Sequence, residues 1–250
     1  YSSALSNAIS FQNFELVKLL IDNGANVNDK SLPITNLCIK FASQMYDEDW
    51  DGFFKILNLL ISKDIDVNAD NGALLKYVID CYKYSEIDKL LSLGAKTDLR
   101  SDNGDYKGRN ALMIFLEYGV LDEELYEQEK EIFYKLWKNY NDINVQDDEG
   151  KNLLFHAIDF SSHEDDFNLE VIELIINTPG LEINHRSKDG DTALNYILAG
   201  YNLDDLNNLE ACISEDDLFI IKKLVLKKAD INLSPLDHLS PSKEPLDYLQ

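Results

Sequence analysis

The first apolar residues of the chain fall into two short groups. Ala4, Leu5, Ala8 and Ile9 make one, and Leu16, Val17, Leu19 and Leu20 make the other. Both follow the i, i+3, i+4 spacing of a helix face, so the pattern predicts two short amphipathic helices. Gly24 follows, suited to the left-handed residue that ends a helix. Asn26-Val27-Asn28 then leads the chain out.

This exit motif recurs as Asp66-Val67-Asn68, Lys96-Thr97-Asp98, Asp142-Ile143-Asn144, Glu182-Ile183-Asn184 and Asp230-Ile231-Asn232, at steps of 40, 30, 46, 40 and 48 residues. The start of the unit recurs as a leucine opening an apolar helix: Leu5, Leu37, Leu75, Leu112, Leu154 and Leu194. A truncated copy stands at Glu244-Pro245-Leu246-Asp247.

Thr192-Ala193-Leu194-Asn195 and Glu244-Pro245-Leu246-Asp247 resemble the Thr-Pro-Leu-His opening of ankyrin repeats. Gly24-Ala25-Asn26-Val27-Asn28 and Gly94-Ala95-Lys96-Thr97-Asp98 are similar to the Gly-Ala-Asp-Val-Asn close. That family repeats every ~33 residues as a turn plus two helices. The resemblance implies an all-α solenoid of stacked helix-turn-helix units carrying short β-hairpin or loop fingers. It implies one domain over residues 1–250, with repeats at 1–29, 30–69, 70–99, 100–145, 146–185 and 186–233 and a cap at 234–250. The helix-ending Gly is replaced by Asp64, Tyr140 and Lys228, and the opening Pro survives only at Pro245.

Head and tail lie 21 residues apart in the first and third copies, and 29, 30, 28 and 36 apart in the second, fourth, fifth and sixth. The extra residues fall between the two helices, where they lengthen helices or form loops without interrupting the core. The insertions read as Gln44 to Gly52, a helix extension in the Gly- and Pro-free stretch from Leu121 to Asn141, a polar loop over Ser161 to Asp166, and an acidic segment from Asn202 to Asp217. Asp147-Asp148-Glu149-Gly150 and Ser187-Lys188-Asp189-Gly190 have the turn chemistry of finger tips.

Composition then limits function. The net charge is −23, from 46 acids and 23 bases. Nucleic acid is a poor partner for such a chain, because phosphate contacts need cations. A basic protein surface suits it better. No apolar run approaches a membrane span. Cys38, Cys81 and Cys212 are odd in number and widely spaced, so they read as reduced thiols of a cytosol-like compartment. Three arginines stand beside twenty lysines, a bias that fits an AT-rich bacterial, viral or protist gene. The chain opens at Tyr1, without Met and inside a repeat opening, so the expectation is a piece of a longer protein.

A search for chemistry finds no nucleophile elbow, phosphate loop or zinc helix. His156, His163, His185 and His238 share no ligand spacing. Asp47, Asp49, Asp51 and Gly52 match positions 1, 3, 5 and 6 of a calcium loop, but the closing position holds Asn58 instead of a bidentate Glu. No enzyme activity, cofactor or metal is expected.

A surface remains. On the ankyrin pattern the concave face is built from finger tips and first-helix ends. That placement selects Phe11, Asp80, Tyr82, Asp105, Tyr106, Glu117, Tyr118, Asp148, Glu149, Asp159, Phe160 and Tyr201. Rings of this kind anchor interfaces, and acids beside them suit a target bearing Lys or Arg. The reading is a monomeric, non-catalytic adaptor, effector or inhibitor of a basic protein, without nucleic acid or membrane. Its location is cytoplasmic, or a host cytosol for a secreted effector. Two alternatives are an immunity protein neutralising a basic toxin and the targeting arm of an enzyme whose catalytic domain lies elsewhere.

Overall fold

A computed structural model describes residues 3–28, 50–102, 106–118, 126–160, 166–199 and 213–233. Within them the chain folds as helix pairs: α1 (Ala4–Ser10) with α2 (Phe14–Asp22), α4 (Ala69–Asp80) with α5 (Tyr84–Ser92), α6 (Ala111–Tyr118) with α7 (Tyr126–Lys138), α8 (Leu153–Phe160) with α9 (Asp166–Asn177), and α10 (Ala193–Ala199) with α11 (Glu215–Leu226). Helix α3 (Trp50–Ile61) is the second helix of another pair. Its first helix, with Leu37 and Cys38, lies outside the described residues.

Within each pair described in full the two helices pack on each other, and most helices also pack on a counterpart in a neighbouring pair. First helices stack α4 on α6, α6 on α8 and α8 on α10; second helices stack α2 on α3, α5 on α7 and α9 on α11. The apolar stripes predicted from the sequence form the contact, with Leu75, Leu112, Phe155, Ile87, Phe133 and Ile175 fully buried. Each such side chain contributes about 1.5–3 kcal/mol on burial. Aromatics thicken the middle of the stack: Phe133 lies 5.5 Å from Phe167 and 5.9 Å from Trp137 between ring centres.

The first helices are started by side chains. Ser3 Oγ accepts the Ser6 N–H at 3.1 Å, Asn110 Oδ1 the Met113 N–H at 3.0 Å, and Asn152 Oδ1 the Leu154 N–H at 3.1 Å. These positions align with Thr192, so the Thr of the family opening is replaced here by other residues that can cap a helix. The span Ala69–Asp80 is the exception. Asp70, Asn71 and Gly72 are left-handed in succession (φ 52°, 57° and 72°), and regular helix begins after them.

The insertions lengthen the second helices. The two copies without insertion have second helices of 9 residues, whereas α3, α7, α9 and α11 have 12, 13, 12 and 12. The added turn lies at the N-terminal end, beside the insertion. Trp50, Asp51 and Gly52, read from sequence as insertion, are therefore helical, as are Asp166 and Glu215 to Asp217. The remainder of the insertions and the cap at 234–250 lie outside the described residues. Helical geometry at Asp51 and Gly52 is also wrong for a calcium loop, which needs a sharp turn at its glycine; Asp47 and Asp49 lie outside the described residues.

Two fingers are tight loops carrying single antiparallel bridges, Gln146 to Asn152 and Arg186 to Thr192, rather than extended hairpins, and the finger before α6 carries a single parallel bridge, Ser101 to Lys107. Both turns predicted from sequence form: Gly150 N–H donates to Asp147 O at 3.1 Å and Gly190 N–H to Ser187 O at 3.0 Å. Of the three residues standing where a helix-ending Gly was expected, Asp64 and Lys228 do adopt left-handed backbone (φ 56° and 67°), but Tyr140 does not.

Candidate functional site

The recurring tail motif joins each pair to the next. Its first residue forms a short turn: Asn28 N–H donates to Asn26 Oδ1, Asn68 N–H to Asp66 Oδ1, and Asn144 N–H to Asp142 Oδ1, at 2.9–3.0 Å. Its last residue reaches the backbone of the following tail. Asn28 Nδ2 donates to Asp64 O at 2.9 Å while Asn28 Oδ1 accepts the Asp66 N–H at 2.7 Å. Asn68 bridges Gly94 O and the Lys96 N–H in the same way, and Asn144 bridges Gly180 O and the Glu182 N–H. An amide can do this because it carries both a donor and an acceptor.

With the pairs fixed in register, the ends of the first helices and the fingers line up on one side. Phe11 caps α1 and is 79% exposed. Asp80 ends α4 and accepts a hydrogen bond from Tyr106 Oη at 2.5 Å, which ties the helix end to the next finger. Tyr82 follows in left-handed backbone (φ 54°); burial, then the charges of Asp80 and Glu129, push its phenol pKa up. Glu117 pairs with Arg109. Asp159 accepts from Tyr196 Oη at 2.7 Å, and Lys151 stands 3.9 Å away. Glu149 lies 3.5 Å from Lys151. Tyr118 and Phe160 are the last residues of α6 and α8. Asp105 and Tyr201 lie outside the described residues.

The sequence reading missed the ion pairs. Asp148 meets Arg100 at 3.3 Å and Lys107 at 3.1 Å, so the acids chosen for a basic partner already hold basic neighbours. All three arginines sit at fingers; Arg100 Nε and Arg186 Nη1 donate to the carbonyls of Gly108 and Gly190. The signal was present, since Arg100, Arg109 and Arg186 all fall between a tail and the next head.

Beneath the tips, Asp147 is 5% exposed. Its Oδ1 accepts from the N–H groups of Glu149 (2.8 Å) and Lys151 (2.9 Å), and its Oδ2 lies 3.1 Å from His156 Nε2. Burial alone would raise its pKa, but the bonds from His156 and the backbone outweigh that and hold it low. His156 is thus a structural partner of the finger. Adjacent fingers touch through backbone: a Cβ on Gly108 would meet Asp148 N at 2.3 Å, and one on Gly150 would meet Lys188 N at 2.9 Å.

Among the described residues no group of three or more His, Cys, Asp or Glu side chains could hold a metal ion. No described helix is long and apolar enough to cross a membrane. Cys81 is a free thiol whose pKa burial raises to about 12, which makes it a poor nucleophile at neutral pH.

Residues 1–29 match the family model described as ankyrin repeat. An ankyrin repeat protein of Acanthamoeba polyphaga mimivirus is 24% identical over 216 residues, covering 80% of this chain; the chain spans 27% of that relative's length. Among solved structures, the human ASB11 ankyrin repeat domain superposes with a TM-score of 0.54 at 16% identity, over 94% of this chain and 87% of that one. The ankyrin repeat domain of Bcl-3, a member of the IkappaB family, gives 0.53 at 17% identity, over 94% and 90%.

Proposed function

We propose that this chain, which carries ankyrin repeats by the match of its first residues and the fold of the whole, is a non-catalytic module that binds a basic protein. Its grip is the face of first-helix ends and fingers. The observation that supports this most is the row itself: Asp80, Tyr106, Glu117, Glu149 and Asp159 come from the third, fourth and fifth pairs and are tied to neighbouring pairs by bonds such as Tyr106 to Asp80 and Tyr196 to Asp159, with Phe11 at the end of the first helix of the first pair. A partner meets them already ordered, which lowers the entropic cost of binding. Phe11 supplies an apolar anchor. Arg109 and Lys151 are largely covered, whereas Glu149 and Asp159 are more open, so the Lys or Arg of a partner can add to these pairs from the solvent side.

The test is affinity capture from the source cells, followed by a binding isotherm with the partner recovered. Reversal of Asp80, Glu117 and Asp159 to Lys is expected to weaken that isotherm at least tenfold while leaving the melting temperature within a few degrees. Unchanged affinity in the folded variant rules out this face. A partner whose contact surface is acidic rules out the charge assignment.

A further inference from the structure

One tail breaks the pattern of all the others. Where the rest carry Asn, Asp or Glu first, Val or Ile second and Asn third, the third tail reads Lys96-Thr97-Asp98. The first change replaces an acid-type position with a cation. The third removes the amide that elsewhere bridges to the following backbone, since a carboxylate has no donor. Asp98 instead accepts from Asn141 Nδ2 at 3.2 Å, and Thr97, buried, donates to Asn139 O at 3.2 Å.

At this joint an open cleft of about 720 Å³ lies between the α5 and α7 turns. Lys96, Arg100 and Lys138 line it, against the single acid Asp98. Arg100 is anchored to Gly108 O and Asp148. Lys96 and Lys138 have no ion-pair or hydrogen-bonding partner for their ammonium groups among the described residues; Lys18, Lys55, Lys222, Lys227 and Lys228 share that, but none of them lines the cleft. Three cations against one acid along the cleft reverse the balance of a chain that has twice as many acids as bases.

We infer that the cleft between the third and fourth helix pairs binds an acidic peptide segment of a protein partner, with Lys96 and Lys138 meeting its carboxylates. The site is separate from the acid-aromatic row and does not depend on that reading. The cations come from two sides of the cleft, so the ligand is a chain with carboxylates spaced along it. A nucleic acid is disfavoured by the field of the whole molecule. A short segment is not, because at physiological salt charges more than ~8 Å away are screened.

Fluorescence anisotropy of a labelled hexaglutamate peptide at about 0.15 M salt tests this, with hexaglutamine as the neutral probe. The expected result is saturable binding of hexaglutamate, at least tenfold tighter than hexaglutamine. Lys96→Glu with Lys138→Glu should weaken it tenfold or more. Lys18→Glu with Lys227→Glu, the same change of net charge elsewhere, should weaken it less than threefold. Equal loss in both variants, or no preference for hexaglutamate, overturns the proposal. So does displacement by millimolar inorganic phosphate with diglutamate binding as well as hexaglutamate, which would mark a small-anion site. Melting curves confirm folding; if the double variant does not fold, Lys96→Gln alone is read, with a threefold loss expected and no loss counting against the site.

Discussion

At the scale of single residues, the tail asparagines do most to hold one pair to the next. Asn144 makes two bonds to the following backbone and receives none of its value from the side chains there. Asn144→Ala leaves Gly180 O and the Glu182 N–H without this partner. Their exposure lets water compensate in part, so the expected cost is about 1–2 kcal/mol in urea unfolding. Backbone conformation gives a second, opposite prediction. Lys228 is left-handed at φ 67°, where an L side chain costs about 1 kcal/mol. Lys228→Gly should raise stability by up to ~1 kcal/mol. Gly108→Ala meets Asp148 N at 2.3 Å and must move the finger, so a loss of several kcal/mol is expected.

At the scale of elements, the shortest finger carries the least ordinary chemistry. The left-handed run Asp70 to Gly72 leaves room for Lys76, which is 1% exposed and donates to Asn71 O (2.7 Å) and Ser101 Oγ (2.9 Å). Burial lowers its pKa to about 8, against the opposing pull of Asp102. Above pH 8 the folded state sheds this proton while the unfolded chain keeps it up to about 10.5. Lys76 alone should therefore raise stability with pH from 8 upward, by at most ~3 kcal/mol. Cys81 and Tyr140, both raised to about 12 by burial, work the other way once the free thiol ionises near pH 9 and free tyrosine near pH 10. The Lys76 contribution is therefore read as the difference between the parent chain and Lys76→Met over pH 8–10; the same slope in both would place its origin elsewhere.

Lys76 also shows what the sequence withheld. Periodicity found both helices of the five pairs described in full, the two finger turns and the joints between them, because leucine spacing and the Asn-x-Asn rhythm are local. It found the longer second helix of the fourth pair, from the Gly- and Pro-free stretch between Leu121 and Asn141, but not those of the second and sixth, because nothing in Trp50-Asp51-Gly52 or Glu215-Asp216-Asp217 separates a polar first turn from a loop. That Asp80 and Glu117 stand at or near helix ends was legible; which cations pair with the finger acids was not. Glu117 meets Arg109 eight residues away, and Asp148 meets Arg100 forty-eight away. Only folding brings the second pair together.

At the scale of the molecule, two electrostatic effects compete. Ion pairs join neighbouring second helices, as Lys135 with Asp88 (2.6 Å), Lys130 with Glu170 (2.7 Å) and Lys223 with Glu173 (2.5 Å). They are largely exposed and contribute little each. The excess of 23 negative charges repels itself throughout the stack. The repulsion should win, so the melting temperature is expected to rise between 10 and 200 mM sodium chloride. A fall would mean that the pairs outweigh the net charge.

The asparagine bridges have a longer reach than stability. Each one addresses carbonyl and N–H groups that every amino acid but proline supplies, so the coupling is blind to what the neighbour's side chains have become. Units fastened this way tolerate drift, duplication and reordering, because no matched pair of side chains has to be re-invented at the seam. That freedom accounts for a molecule whose copies differ in length, charge and insertion yet still line up, and for why the seam at Lys96-Thr97-Asp98, which lacks the clasp among the described residues, was free to become something else.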